Sequence, residues 1–372
     1  MNRRDFLRGV AAAGAVCAAG SLSAWADADT DVRTVYLVNK CHLDLGYTNF
    51  QHKILRTYFD DFIPHAIDTS QNLAQTGATE RYCWTLGSWM IQEYLAQASP
   101  SAAKRFEQAI ADGQIAWHAL PFTWQTEMLD RSLIETSLGI SKALDKRFGK
   151  TTTAGKLTDV MGHSRGIIAP LVDAGVNFLH IGPNGSCRYP DFPAPFFRWR
   201  DKSGNELIVM YATDYGGTER LPGSPIAVSM NVRADNTGPH TVQEVKDHYA
   251  WLKSRYPNAQ IISGNLSAAG NALQPYLKSL PVVTQEFGDS WIYGVASDPK
   301  KVANYRELCR LRQEWIASGK MTKGAAVDLA MTSRLILGPE HNWGLSFHQI
   351  FPWNDLYTPT QLREASVRGS CQ

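Results

Sequence analysis

Thr34-Val35-Tyr36-Leu37-Val38, followed after three residues by His42-Leu43-Asp44-Leu45-Gly46-Tyr47-Thr48, is the stretch that decides the fold. The first five residues form a continuous, β-rich apolar run. Strands read this way when both of their faces are covered, which is the habit of parallel sheets flanked by helices. The polar residues come at the end of that run. In parallel α/β folds the carboxyl ends of the strands carry the site.

The same alternation recurs along the chain. Ile54, Tyr58, Phe62 and Ala66 repeat at helical spacing, and residues 81–86 read as a second strand. A helix over 101–112 is stopped by Gly113, and Ile115 to Leu120 forms a third strand ended by Pro121. Residues 130–148 read as a helix with Gly149 behind it. Further strands are expected at 153–159, 178–182, 207–212, 259–263 and 282–287, with helical patterns at 165–174, 241–254 and 299–317. Residues 184–206 and 213–240 are rich in Gly, Pro, Asn and Asp and read as long loops. Strand-helix alternation on this scale predicts an α/β fold with a parallel sheet inside and helices outside, as a barrel or a doubly wound sheet.

Composition limits the function. Of the 372 residues 44% are hydrophobic and 19% charged, which excludes a disordered chain. The 37 basic and 35 acidic residues nearly cancel, so nucleic-acid binding has no electrostatic support. The 11 Trp suit either a Trp-rich core or a surface that stacks rings on sugars. Of the six Cys, Cys17 lies near the start, and the other five are scattered with no C-x-x-C pair. That set is neither a disulfide framework nor a thiolate zinc site, so any metal must be held by His and carboxylates.

Residues 1–26 read as a cleavable signal. Arg3, Arg4 and Arg8 precede a small apolar run from Gly9 to Ala19, and Ala24-Trp25-Ala26 forms an A-x-A site. The pair Arg3-Arg4 before Asp5-Phe6-Leu7 points to twin-arginine export and a periplasmic or secreted protein. The apolar run is too short to span a bilayer, so no stable membrane anchor is expected.

Four segments carry candidate chemistry. His42 and Asp44 share one side of an extended backbone and can reach one ion; His/Asp ligation suits zinc. Asp159, in DVMGHSRG, ends an expected strand, although a helix cap at Asp159 or Ser164 is a simpler role. Asp289, in GDSWIYG, also stands at a strand end, where a plain turn residue is common. His341 lies in EHNWG, beside a Trp against which it could simply pack. Together these residues supply one metal site and a spare carboxylate, and retaining glycosidases need two carboxyl groups.

HLDLGYT, DVMGHSRG, GDSWIYG and EHNWG, in that order, resemble the signature segments of glycoside hydrolase family 38, the α-mannosidases, over about residues 34–355. The resemblance implies a seven-stranded β/α barrel over residues 30–330, with the beginning of a helical domain over 331–372. It implies a bound zinc ion, with His42, Asp44, Asp159 and His341 as ligands. It makes Asp159 the nucleophile as well, and Asp289 the general acid/base. Tyr47 takes the sugar-platform position where Trp is common, and Trp291 and Trp343 are candidate substrate contacts. The implied partner is a carbohydrate; no sequence feature assigns an oligomeric state. Family members usually continue for several hundred residues further, so a truncated product ending at Gln372 is expected, without the domains that wall the cleft. Two other readings remain at this level: a metal-dependent carbohydrate deacetylase on a related barrel, and a truncated, non-catalytic sugar-binding remnant.

Overall fold

The computed structural model describes residues 28–185, 189–287, 298–342, 358–361 and 363–364. The signal segment, Asp289, Trp291 and Trp343 lie outside the described residues, as does nearly all of the expected helical extension beyond 342.

Eleven strands are described: β1 (Thr34–Cys41), β2 (Trp84–Gly87), β3 (Ile115–His118), β4 (Ala154–Asp159), β5 (Phe178–Pro183), β6 (Phe196–Arg200), β7 (Glu206–Tyr211), β8 (Gly217–Arg220), β9 (Ile226–Arg233), β10 (Gln260–Ser263) and β11 (Val282–Val283). They form two sheets. One runs β3-β2-β1-β9-β8 with β10 also on β1, and the other runs β11-β6-β7-β5-β4. All pairs are parallel except β6–β7 and β8–β9.

β1 is central. β9 pairs with it along its whole length, from Thr34↔Ile226 to Cys41↔Arg233. Its other edge is shared, by β10 over Thr34–Leu37 and by β2 at Asn39. A strand so enclosed must be apolar on both faces, as its sequence is. A seven-stranded barrel was expected; the described strands form two parallel-rich sheets, with no closed sheet among the described residues. They touch where Ala119 N donates to Ala154 O, 2.8 Å, just past β3 and at the start of β4. An apolar cluster joins them: Val38, Val228 and Met230 from the first sheet, Phe178, Ile208 and Met210 from the second. The opposite face of β1, with Val35 and Leu37, packs against Ile63, Ala66 and Ile67 of the helix Ile63–Gln75.

Three strands fall in segments read as loops. β6 follows Pro190, Pro193 and Pro195, and β8 and above all β9 adjoin Pro222, Gly223, Pro225, Gly238 and Pro239, whose turn chemistry obscures the short strands between them. The helices fare better. Arg131–Phe148 ends on Gly149 with φ 63°, and Asp130 caps its start by accepting from Leu133 N at 2.9 Å. The segment 54–66 contains a π-helical turn over Tyr58–Phe62 between two α-helices. Five Trp (84, 89, 117, 124 and 199) are buried, so much of the Trp content is core. No helix among the described residues is long and apolar enough to cross a membrane.

Candidate metal centre

The carboxyl ends of the parallel strands converge. His42 follows β1, Asp159 is the last residue of β4, Asn184 follows β5, Tyr215 lies beyond β7 and Asn236 beyond β9. His341 arrives from far along the chain because the segment after β3 clamps it. His341 N donates to Thr123 O at 3.2 Å, Gln125 N to Pro339 O at 2.6 Å, and the Gln125 side chain to His341 O at 2.9 Å.

His42, Asp44, Asp159 and His341 each offer one ligand atom, and these atoms lie within 4.8 Å of one another. All four side chains are buried. The two Nε2 atoms face each other at 3.1 Å, and each lies 3.2 Å from Asp44 Oδ1. His341 Nε2 is 3.4 Å from Asp159 Oδ2. His341 Nδ1 meets Glu340 Oε1 at 2.7 Å, which directs a bare Nε2 lone pair inward when Nδ1 carries the proton. Asn342 donates to Asp44 Oδ1 at 3.1 Å.

The second oxygen of Asp159 is held separately. Tyr215 OH donates to its Oδ1 at 2.6 Å and Asn184 Nδ2 at 2.8 Å. The backbone of Asp159 has φ 79°, a left-handed conformation that a residue other than Gly adopts at a cost of about 1–3 kcal/mol. The strained turn takes Asp159 out of the β4 alternation and aims it at the cluster. The helix-cap role falls to Ser164, whose Oγ accepts from Gly166 N at 3.2 Å. Asn236 holds the turn after His42: its side chain donates to Asp44 O and Thr48 Oγ1, and its Oδ1 accepts from Asp44 N. Tyr47 on that turn is 41% exposed.

The electrostatics ask for a cation. Burial raises the pKa of Asp44, but His42 and His341 outweigh it and hold its carboxyl well below the usual range. Burial likewise opposes ionisation of Asp159, which His341, His42 and Tyr215 nonetheless lower to about 2. Burial would favour a neutral His341, yet Glu340, Asp159 and Asp44 pull its pKa well above the ordinary value. Two or more carboxylates thus share a dry site with two imidazoles. Asp44 Oδ2 is buried with no hydrogen-bond partner, a costly position for a carboxylate oxygen unless a cation meets it. Two imidazole nitrogens and two carboxylates converging on one point fit a borderline divalent metal ion. Among the described residues this is the one such group of His, Cys, Asp and Glu.

The profile described as "Glycosyl hydrolases family 38 N-terminal domain" matches residues 32–328, most of the chain. The chain belongs to glycosyl hydrolase family 38. A "Domain of unknown function (DUF5054)" matches residues 295–371. No curated protein matches the chain. Two solved structures from Enterococcus faecalis share the fold. An alpha-mannosidase of strain V583 aligns with TM-score 0.56 at 14% identity, over 68% of this chain and 31% of its own. A family 38 protein aligns with TM-score 0.54 at 13% identity, over 91% of this chain and 39% of its own. The chain therefore spans roughly a third of the length of these family relatives.

All four expected ligands come together. Glu340, Tyr215, Asn184 and Asn236 around them were not singled out from the sequence, although Glu340 lies inside EHNWG.

Proposed function

We propose that this family 38 glycosidase is a zinc-dependent, retaining α-mannosidase-like enzyme that cleaves terminal α-mannosyl or related glycosides, on a seven-stranded β/α barrel. The convergence of His42, Asp44, Asp159 and His341 carries the reading. A zinc ion held by these four residues would supply a Lewis acid for the hydroxyls of a mannosyl unit and would favour the ionised carboxylates around it. The protein's own groups do the rest. Asp159, ionised and fixed by Tyr215 and Asn184, attacks the anomeric carbon. Asp289, assigned from its GDSWIYG motif, protonates the leaving oxygen and later activates water. Glu340 fixes His341, and Asn342 steadies Asp44.

The test is turnover of aryl α-mannosides by metal-loaded protein. Asp159→Ala should abolish turnover. Asp289→Ala should slow substrates with poor leaving groups by about 10²–10⁴ and activated ones far less. Metal-loaded protein that releases acetate from acetylated sugars and leaves every aryl glycoside intact would contradict the reading in favour of a deacetylase.

A further inference from the structure

Two lysines stand inside the fold directly below the metal centre, and the proposed reaction uses neither. Along β1, Val38, Lys40 and His42 share one face; Val38 belongs to the apolar cluster between the sheets and His42 to the metal site. Along β4, Lys156 follows Ala154 of the same cluster on the same face, and along β5, His180 follows Phe178. Lys40 and Lys156 are 6% and 1% exposed.

Among the described residues neither amine forms an ion pair. Lys40 Nζ donates to Cys41 O at 3.1 Å. Lys156 Nζ donates to Tyr215 O at 2.7 Å and meets His180 Nδ1 at 3.0 Å. An ammonium carries three donors, so both retain capacity. The carboxylate that acts on Lys156 is Asp214, which is exposed and accepts from Gly216 N at 2.9 Å. Burial pushes the Lys156 amine well below its ordinary value, the direction expected where no anion compensates.

Lys40, Lys156, His42, His118 and Thr123 line one cavity of about 10 Å³, room for a single particle of water or halide size. His118 is 1% exposed and its Nδ1 has no partner. Two buried amine side chains and an imidazole nitrogen without a partner thus line a cavity with no acid in its wall. His42 separates it from the metal centre.

We propose that this cavity binds one halide-sized anion, chloride in ordinary salt, held between Lys40 and Lys156 beneath His42. A polyatomic anion does not fit the volume. The anion would favour the charged ammonium form of both amines and lower the electrostatic cost of placing a cation on the other side of His42. The inference does not depend on the reaction proposed above, because it concerns a different cavity and a different ion.

Crystals of the full chain soaked in sodium bromide test it, together with melting in chloride and in gluconate at equal ionic strength. The expected results are an anomalous peak between Lys40 and Lys156, and a Tm higher in chloride by about 1–3 °C at several times its dissociation constant. Lys156→Met should remove the chloride-specific part of that shift. If that variant does not fold, the bromide map of the unaltered protein decides. Bromide found only at the surface with water in the cavity, or equal melting in the two salts, overturns the proposal.

Discussion

Glu340 is the residue whose role the structure adds most clearly. It lies next to His341 in sequence, is buried, and places Oε1 2.7 Å from His341 Nδ1. A metal-binding imidazole needs its other nitrogen occupied by an acceptor, and loss of such a partner typically costs 10–100-fold in affinity. Glu340→Gln should therefore weaken metal binding by about 10–100-fold, read by competition with a calibrated chelator. An unchanged affinity would reduce Glu340 to a packing role. The motif already contained this signal, because a carboxylate beside a ligand His is a ready orienting partner. Tyr215, Asn184 and Asn236 gave no such signal. They stand in turn-rich segments without periodicity, and the strand ends alone bring them to the cluster. The positive φ of Asp159 was equally hidden, since nothing in DVMGHSRG marks a left-handed residue other than Gly.

At the scale of elements, the ends of β1 and β4 were legible because each buried strand reads as a run that stops at a polar residue. β9 was not legible, although it pairs with all of β1. Its residues Ile226 to Arg233 mix small, polar and apolar side chains between two Pro/Gly-rich turns, and long-range pairing rather than local preference holds them extended. One contact between elements makes a sharp test. Gly182 of β5 lies under the 214–215 backbone, where a Cβ would meet Tyr215 O at 2.4 Å and Asp214 O at 2.7 Å. Gly182→Ala must displace the segment that carries Tyr215 to Asp159. Overpacking of this kind costs about 1–3 kcal/mol, visible as a lower urea midpoint. Catalytic turnover should fall with it, because Asp159 loses a donor. Unaltered stability and turnover would mean that this loop moves freely and does not position Tyr215.

The described residues form a pair of parallel-rich sheets sharing an apolar core, with the cluster of His42, Asp44, Asp159 and His341 at the carboxyl ends of the strands. Strand-helix alternation was enough to place the chain among parallel α/β folds. The division into two sheets was not, because sheet closure depends on contacts between strands distant in sequence, such as that of Ala119 with Ala154. Export also belongs to this scale. We propose twin-arginine export to the periplasm, from Arg3-Arg4 ahead of the Gly9–Ala19 run. Changing Arg3 and Arg4 to Lys should leave the protein in the cytoplasm, as cell fractionation would read; continued export of that variant would indicate the general secretory route. A bound ion stabilises the folded chain by mass action, so chelation should lower Tm, and restoring zinc should recover it.

We assign one divalent ion to His42, Asp44, Asp159 and His341, and the most direct measurement is the metal content of the purified chain beside its His341→Ala variant. With that assignment, one zinc ion per chain survives dialysis and is lost from the variant, while the variant remains folded by circular dichroism. Absence of metal from the unaltered chain after incubation with zinc, or equal metal in both proteins, would contradict it.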